Sequence, residues 1–465
     1  MPAKGAGTQI EPTLESEPAG SRVPPPYTGP PVAAAISAFG SEYAATSEQP
    51  IIVSRSGGLA PLVFENKLGN WLTAGASVSE YYDSNVFLRS TKVDDFVTSI
   101  APSLAFRYGG KFLDWSLGTS LNYQYYARGT RTENLSYSLN TGGVLKLYRD
   151  YAFINISDIF TQTSQTTGVD YSSLSSTINV TNLNTLTVNP RLVLPLTGRL
   201  SMNPQYSYIN YWYPSQSQQN RQSNSVSADF SYELTPRLTP ALGYRFVKMD
   251  GRLLQYSQHY PYIKVTWQNE RLTFSGAVGY DRVDQDLGAT SSGMIWDASL
   301  DWQFSTMTLK FTTASDINQS NYQNSTSQDQ TRKAPQTITS YTLSLTKYLR
   351  IATFAISSYY RENTDTATSE FLSRNIGTSG SLAHEISQRL SGNFTYRVEW
   401  QKPQVNMQAF LYQFGYSLVY PFGNNWSVTG LYQYINSNSA SQITTNSTYN
   451  YIDNKISFGV SKSFL

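Results

Sequence analysis

Cysteine is absent from the 465 residues, which removes disulfide frameworks, thiolate catalysis and cysteine-based zinc sites from consideration. Histidine is almost absent, with two residues in the whole chain. Charge is scarce as well: Asp, Glu, Lys and Arg together make up 14%, against roughly 25% in ordinary soluble domains. The net charge of +2 supplies no field that would gather nucleic acid, and Lys and Arg are dispersed instead of forming a basic surface. Long apolar runs are missing too, and nothing near the roughly 18 consecutive residues of a helical membrane span occurs. The opening MPAKGAGTQIEPTLESEPAGSRVPPPYTGPP has no apolar core of the kind a signal peptide needs. If the protein is exported, its signal has been removed or its start site missed.

Tyrosine is what the chain has in abundance. There are 35 Tyr among 14% aromatics, yet mean hydropathy is only −0.37, because Ser, Thr, Asn and Gln supply the polarity. Residues 1–66 are rich in Pro, Ala, Gly and Ser without a sustained period, and read as a disordered tail. From residue 67 to 465 the pattern is different. Segments such as AFLYQFGYSLVY alternate large apolar residues (Phe410, Tyr412, Phe414, Tyr416) with small or polar ones (Gln413, Gly415, Ser417). A period of two marks strands, since successive side chains point to opposite faces.

These segments are joined alternately by very short and by longer polar connections. The short ones are Gly109-Gly110-Lys111, Arg149-Asp150, Leu196-Thr197-Gly198, Thr235-Pro236-Arg237, Asn269-Glu270, Ser305-Thr306, Leu349-Arg350, Ser387-Gln388 and Phe422-Gly423-Asn424-Asn425. The longer ones include QTTGVDYSSLSSTIN, NQSNYQNSTSQDQTRK, ENTDTATSEFLSR and NSNSASQITTNST. Nine hairpins plus one strand at each end predict about 20 strands (18–20). Strict short/long alternation and an even count are the signature of an outer-membrane barrel with tight periplasmic turns. The expected fold is therefore an all-β transmembrane antiparallel up-and-down β-barrel following a disordered tail.

Parity then divides the faces. One parity carries Arg107, Asp114, Asn122, Lys146, Arg191, Asp229, Glu233, Arg245, Lys264, Asp297, Asp301, Lys310, Arg397 and Glu399. The other carries Leu113, Trp115, Met294, Trp302, Phe394 and Trp400 with almost no charge. A cation at mid-bilayer on the lipid side costs roughly 2–4 kcal/mol, so the charged parity is expected to line the lumen. Tyrosine pairs stand just before the longer connections. Their inward members Tyr126, Tyr211 and Tyr359 would rim the mouth, while their neighbours form an aromatic girdle.

No catalytic constellation is visible. His259 in SQHYP and His384 in LAHEI lack a serine motif and lie far apart in sequence, so no enzyme is expected. The run DRVDQDLG, with Asp281, Asp284, Asp286 and Gly288, lacks the later bidentate Glu of a calcium loop and reads as a solvated acidic loop. Neither a metal nor a cofactor is expected. The last strand places Ile456, Phe458, Val460, Lys462 and Phe464 on one parity. That resembles the C-terminal signal read by barrel-assembly machinery, with Lys462 and Leu465 as departures.

The first hairpin, SVSEYYDSNVFLRSTKVDDFVTSIAPSLAFRY, resembles the opening of the β-barrel porin-2 group, which includes outer-membrane proteins associated with PEP-CTERM systems. The matching residues are Tyr82, Asp83, Asn85, Val86, Phe87, Asp95, Thr98, Pro102 and Leu104, with Ser84 interrupting the usual Asp-Asn pair. The resemblance implies a link to exopolysaccharide export or envelope biogenesis, with polysaccharide and periplasmic export components as partners; lipopolysaccharide and the bilayer are the partners expected of the barrel itself. The expected function is a porin-like conduit in the outer membrane. The alternative is an occluded barrel serving as an anchor or receptor.

Overall fold

The structure, a computed structural model, describes residues 71–88, 90–132, 134–148, 151–164, 180–215, 217–252, 255–286, 290–318, 336–365, 369–403, 407–423, 425–441 and 450–464. The alternating segments form strands, because Tyr, Thr, Val and Ser suit a pleated surface better than a helix. In order these are β1 (Leu72–Asp83), β2 (Asp95–Gly109), β3 (Leu113–Tyr126), β4 (Asn134–Tyr148), β5 (Ala152–Ser164), β6 (Val180–Leu192) and β7 (Leu194–Pro195). There follow β8 (Leu200–Trp212), β9 (Arg221–Tyr232), β10 (Leu238–Gly251), β11 (Tyr256–Gln268), β12 (Leu272–Gln285), β13 (Ser291–Gln303) and β14 (Met307–Asn318). The last are β15 (Gln336–Tyr348), β16 (Ala352–Asp365), β17 (Phe371–Glu385), β18 (Ser391–Pro403), β19 (Met407–Phe422), β20 (Trp426–Ser441) and β21 (Tyr451–Phe464).

Neighbours in sequence pair antiparallel, and β1 pairs with β21 from Ala74↔Phe464 to Asp83↔Lys455, which closes the sheet. The short β7 continues β6 beyond Val193, and both pair with β8, so twenty-one strands make twenty staves. The fold is thus a closed up-and-down barrel of the expected strand number. Closure leaves no edge strand to recruit another chain.

At one rim the described connections are tight, and at four of them a side chain bonds the turn backbone. The Thr197 hydroxyl accepts the backbone N–H groups of Arg199 (3.3 Å) and Leu200 (3.0 Å). Thr235, Asn269 and Ser387 repeat that geometry at three further turns. Such local side-chain to backbone bonds are why Thr, Asn and Ser favour turns. Gly423 (φ 55°) and Asn425 (φ 62°) supply the left-handed backbone of the β19–β20 turn. The expected turn at Arg149-Asp150 and the residue Asn424 lie outside the described residues.

The other rim corrects the expectation of strict alternation. There β11 begins at Tyr256 after β10 ends at Gly251, β13 at Ser291 after Gln285, β17 at Phe371 after Asp365 and β19 at Met407 after Pro403, spacings as short as those of the short-turn rim. Polar Thr, Asn and Ser continue a strand when its neighbour offers a ladder, so β16 runs to Asp365 and β20 to Ser441 through sequence that composition marks as loop. For the same reason Asp281 and Asp284 belong to β12, on opposite faces of the wall, and form no acidic loop. The 1–66 tail, QTTGVDYSSLSSTIN and all of NQSNYQNSTSQDQTRK but its first residue lie outside the described residues.

Register fixes the faces. Tyr341, Tyr360, Ile376, Trp400 and Phe410 are successive cross-strand partners from β15 to β19 and therefore share a face. That face is exposed, as are Val78, Ile100, Leu121, Tyr137, Leu242, Met294 and Phe458 on the same surface. The opposite face includes Ser99, Asn122, Gln258, Glu399 and Asp453, all buried, and is the interior. Asp158 is an exception. Partnered with Thr141 and Leu186, it points outward from the middle of β5.

Candidate functional site: the barrel interior

The predicted charged residues are spread around the inner wall instead of converging on one point. Arg107, Asp114, Asn122, Lys146, Arg191, Asp229, Arg245, Lys264, Asp297, Asp301, Lys310, Arg397 and Glu399 all stand on inward positions of their strands, and Glu233 follows β9 at the short-turn rim. Some are brought together. Lys146 Nζ lies 2.6 Å from an Asp114 oxygen, and Asp301 is the direct cross-strand partner of Lys310. Tyr126 and Tyr211 are inward and buried, whereas their neighbours Tyr125 and Trp212 are outward and 47% and 46% exposed. Tyr359 also faces inward, opposite Gly377.

Burial changes along the barrel axis. On β2, Asp95, Val97 and Ser99 near the long-connection rim are buried, while Arg107 near the short turn is exposed. On β3, Tyr126, Gln124 and Asn122 are buried and Ser116 is exposed. Arg221, Ser223, Ser225 and Ser227 on β9, Gln258 on β11, and Glu399 and Gln401 on β18 are likewise buried in the same half. The interior is therefore enclosed toward the long-connection rim and open toward the short turns.

Three polar clusters occupy the enclosed half. The first depends on a residue outside the predicted set, Asp316. Pairing between β13 and β14 stops at Trp296↔Ser315. Beyond it both carboxylate oxygens of Asp316 lie 3.4 Å from Arg245 Nη2 on β10, while Ile317 packs with Met249, Tyr256 and Val283. The Arg245 guanidinium sits 4.9 Å from the centre of the Tyr260 ring, and Tyr260 stacks on Tyr262 at 4.9 Å. The Tyr262 hydroxyl donates to Asp229. Gly243 makes this possible, because a Cβ there would collide with the Tyr262 ring.

The second cluster is Arg397, Glu399, Gln401 and Tyr359. Arg397 donates from Nε (3.0 Å) and Nη2 (2.5 Å) to Glu399 Oε2, and Gln401 donates to Oε1 at 2.7 Å. Bonds of this charge-assisted kind are the strong ones in a low-dielectric interior. The third stands at the closing seam. Lys455 Nζ lies 3.0 Å from Asp83 and 4.8 Å from the Tyr81 ring centre, and Ser84 donates to Asp453 at 3.1 Å. Here several residues of the opening motif have a structural task. The Asn85 backbone N–H donates to Asp83 (3.0 Å) and its side chain to the Ile452 carbonyl (3.3 Å). Asp95 accepts from the Arg128 backbone (2.9 Å) and the Thr130 hydroxyl (2.5 Å).

Among the described residues no group of three or more His, Cys, Asp or Glu is placed to hold a metal ion. Both histidines are on the outer face. His259 Nδ1 is 2.7 Å from the Tyr244 hydroxyl, and His384 Nε2 is 3.4 Å from that of Tyr416.

No family model matches this chain, and no curated protein matches it. Among solved structures it is similar to the FrpB iron transporter from Neisseria meningitidis (F3-3 variant), at 13% identity and a TM-score of 0.46 over 85% of this chain and 82% of that one. It is also similar to a mutant of the ferric enterobactin receptor PfeA from Pseudomonas aeruginosa, at 9% identity and 0.46 over 85% and 81%. The siderophore receptor PirA from Pseudomonas aeruginosa gives 10% identity and 0.45 over 85% and 81%. Likeness of this degree carries no inference about cargo.

Proposed function

We propose that this chain is an outer-membrane barrel acting as a porin-like conduit for hydrophilic solutes. The division of faces carries the reading: an apolar, aromatic exterior encloses an inner wall of hydroxyls, amides and charges of both signs. A soluble monomer rarely exposes apolar surface on that scale, whereas hydrocarbon requires it. In this reading the short-turn rim faces the periplasm and the other rim faces outward. A barrel of twenty staves is too wide to be filled by its own side chains alone, and selectivity comes from the charges lining it. No reaction is catalysed.

The resemblance of the first hairpin extends the reading to exopolysaccharide export. Lipopolysaccharide, the assembly machinery acting on the Phe464 strand and periplasmic export components are then the partners. A second reading, an occluded anchor or receptor, is favoured by one observation: Val97, Gln258 and Glu399 are at most 1% exposed inside the enclosed half. Liposome swelling separates the two. A conduit makes vesicles swell in isotonic neutral sugar, while folded protein that leaves vesicles impermeable supports the occluded barrel. Loss of surface polysaccharide from a strain lacking the gene would support the export role, and unchanged polysaccharide would remove it.

A further inference from the structure

We propose that the exterior of β15–β19 carries a binding site for a phosphorylated, multiply acylated lipid of the surrounding leaflet. The site is built by register. Glu362, Arg374 and Lys402 are successive cross-strand partners, so they form one row on the outer face near the long-connection rim. The next row toward the short turns holds Tyr360, Ile376 and Trp400, and the row after it Ser358, Thr378 and Val398. Small side chains at Ser358 and Thr378, between the larger groups of Leu343 and Tyr412, leave a groove of about 570 Å³ directly below the charged row.

The charge above the groove is unbalanced. Arg374 donates from Nε (2.8 Å) and Nη2 (2.6 Å) to a single oxygen of Glu362, which also accepts from the Tyr360 hydroxyl at 2.6 Å. Lys402 has no carboxylate partner among the described residues and stands exposed, its Nζ 5.8 Å from the Phe371 ring centre. Arg374 lies 5.4 Å from that same ring, so two cations converge on one aromatic, and Glu362, on the far side of Arg374, is the one acid in their row. Elsewhere near this rim Arg128 is matched by Asp94 and Arg282 by Asp284, while Lys248 on β10 stands exposed as a lone cation among the described residues.

A surplus cation at the interfacial level over an apolar groove is complementary to an amphiphile with a phosphate head and hydrocarbon tails. Guanidinium and ammonium groups are the usual phosphate ligands, and a partly desolvated setting strengthens the contact. The identity of the lipid rests on the membrane reading above. If the long-connection rim faces outward, the lipid presenting phosphates at this level is the acylated glycolipid of the outer leaflet.

The test uses full-length protein folded in detergent, with folding checked by heat-modifiable mobility and bound lipid measured by native mass spectrometry. Phosphorylated lipid A should be retained by the wild type. The change Lys402→Gln, alone or with Arg374→Gln, should lower retention about tenfold. Ser358→Leu, which fills the groove and leaves the cations in place, should lower it as well, whereas Lys248→Gln on another part of the exterior should not. Equal retention of dephosphorylated lipid A, or of phosphatidylglycerol, would overturn the proposal, as would equal retention by the Lys402 variant. Pore activity plays no part in this readout, so failure of the conduit reading leaves it intact, and cell fractionation checks the membrane reading separately.

Discussion

Asp158 fits its surroundings poorly. It faces outward from the middle of β5 beside Leu186, and its Oδ1 is buried without a hydrogen-bond partner. An acid at mid-membrane on the lipid side is destabilising, though less so than a cation. Asp158→Val should therefore raise stability in urea unfolding from lipid vesicles by about 1–2 kcal/mol. A loss of stability instead would mean that this carboxylate meets a partner. Arg245 presents the opposite case, with 5% side-chain exposure against 15% for Asp316. Arg245→Leu should cost about 3–5 kcal/mol by leaving a buried carboxylate unmatched, while Arg245→Leu with Asp316→Leu should recover most of that loss. If the double variant is no better than the single one, the ion pair is not what Arg245 provides. Parity alone placed Arg245, Lys264 and Glu399 on the charged face. Asp316 shares the parity of Lys310 and was open to the same reasoning, but its meeting with Arg245 depends on where β13–β14 pairing stops, for which no local residue pattern speaks.

At the scale of the strand, the periodic segments and the tight turns were legible because each is set locally, by a period of two and by Thr, Asn or Ser bonding the turn backbone. The ends of the strands at the other rim were not legible. A polar stretch such as NSNSAS in β20 becomes strand because Met407 to Phe422 lies alongside to pair with it, and composition does not reveal a neighbour. Closure by β1 and β21 is another relation between distant segments, yet here the even strand count anticipated it. The seam has a direct check, since the chain contains no native cysteine to interfere. Ser77 and Ser461 are direct partners on the inner face. Ser77→Cys with Ser461→Cys should form a disulfide on mild oxidation and give a faster-migrating band after boiling without reductant. An unlinked pair in folded protein would contradict closure through these strands.

For the molecule as a whole, two opposed surfaces meet through one sheet. The apolar exterior was readable from parity and needs no long-range information. The enclosure of the interior toward one rim was not readable, because it arises from many inward side chains and from the outer end of β14 reaching across to β10, each set by register. The same enclosure decides how solutes would move, since the open short-turn half leads to the clusters around Arg245 and Glu399. Stepwise conductance of the purified, folded protein in a planar bilayer addresses this most directly. Discrete current steps in potassium chloride, altered in ion preference by Asp316→Asn, are expected of a conduit lined by these charges. A silent bilayer, with insertion and folding verified, would contradict it.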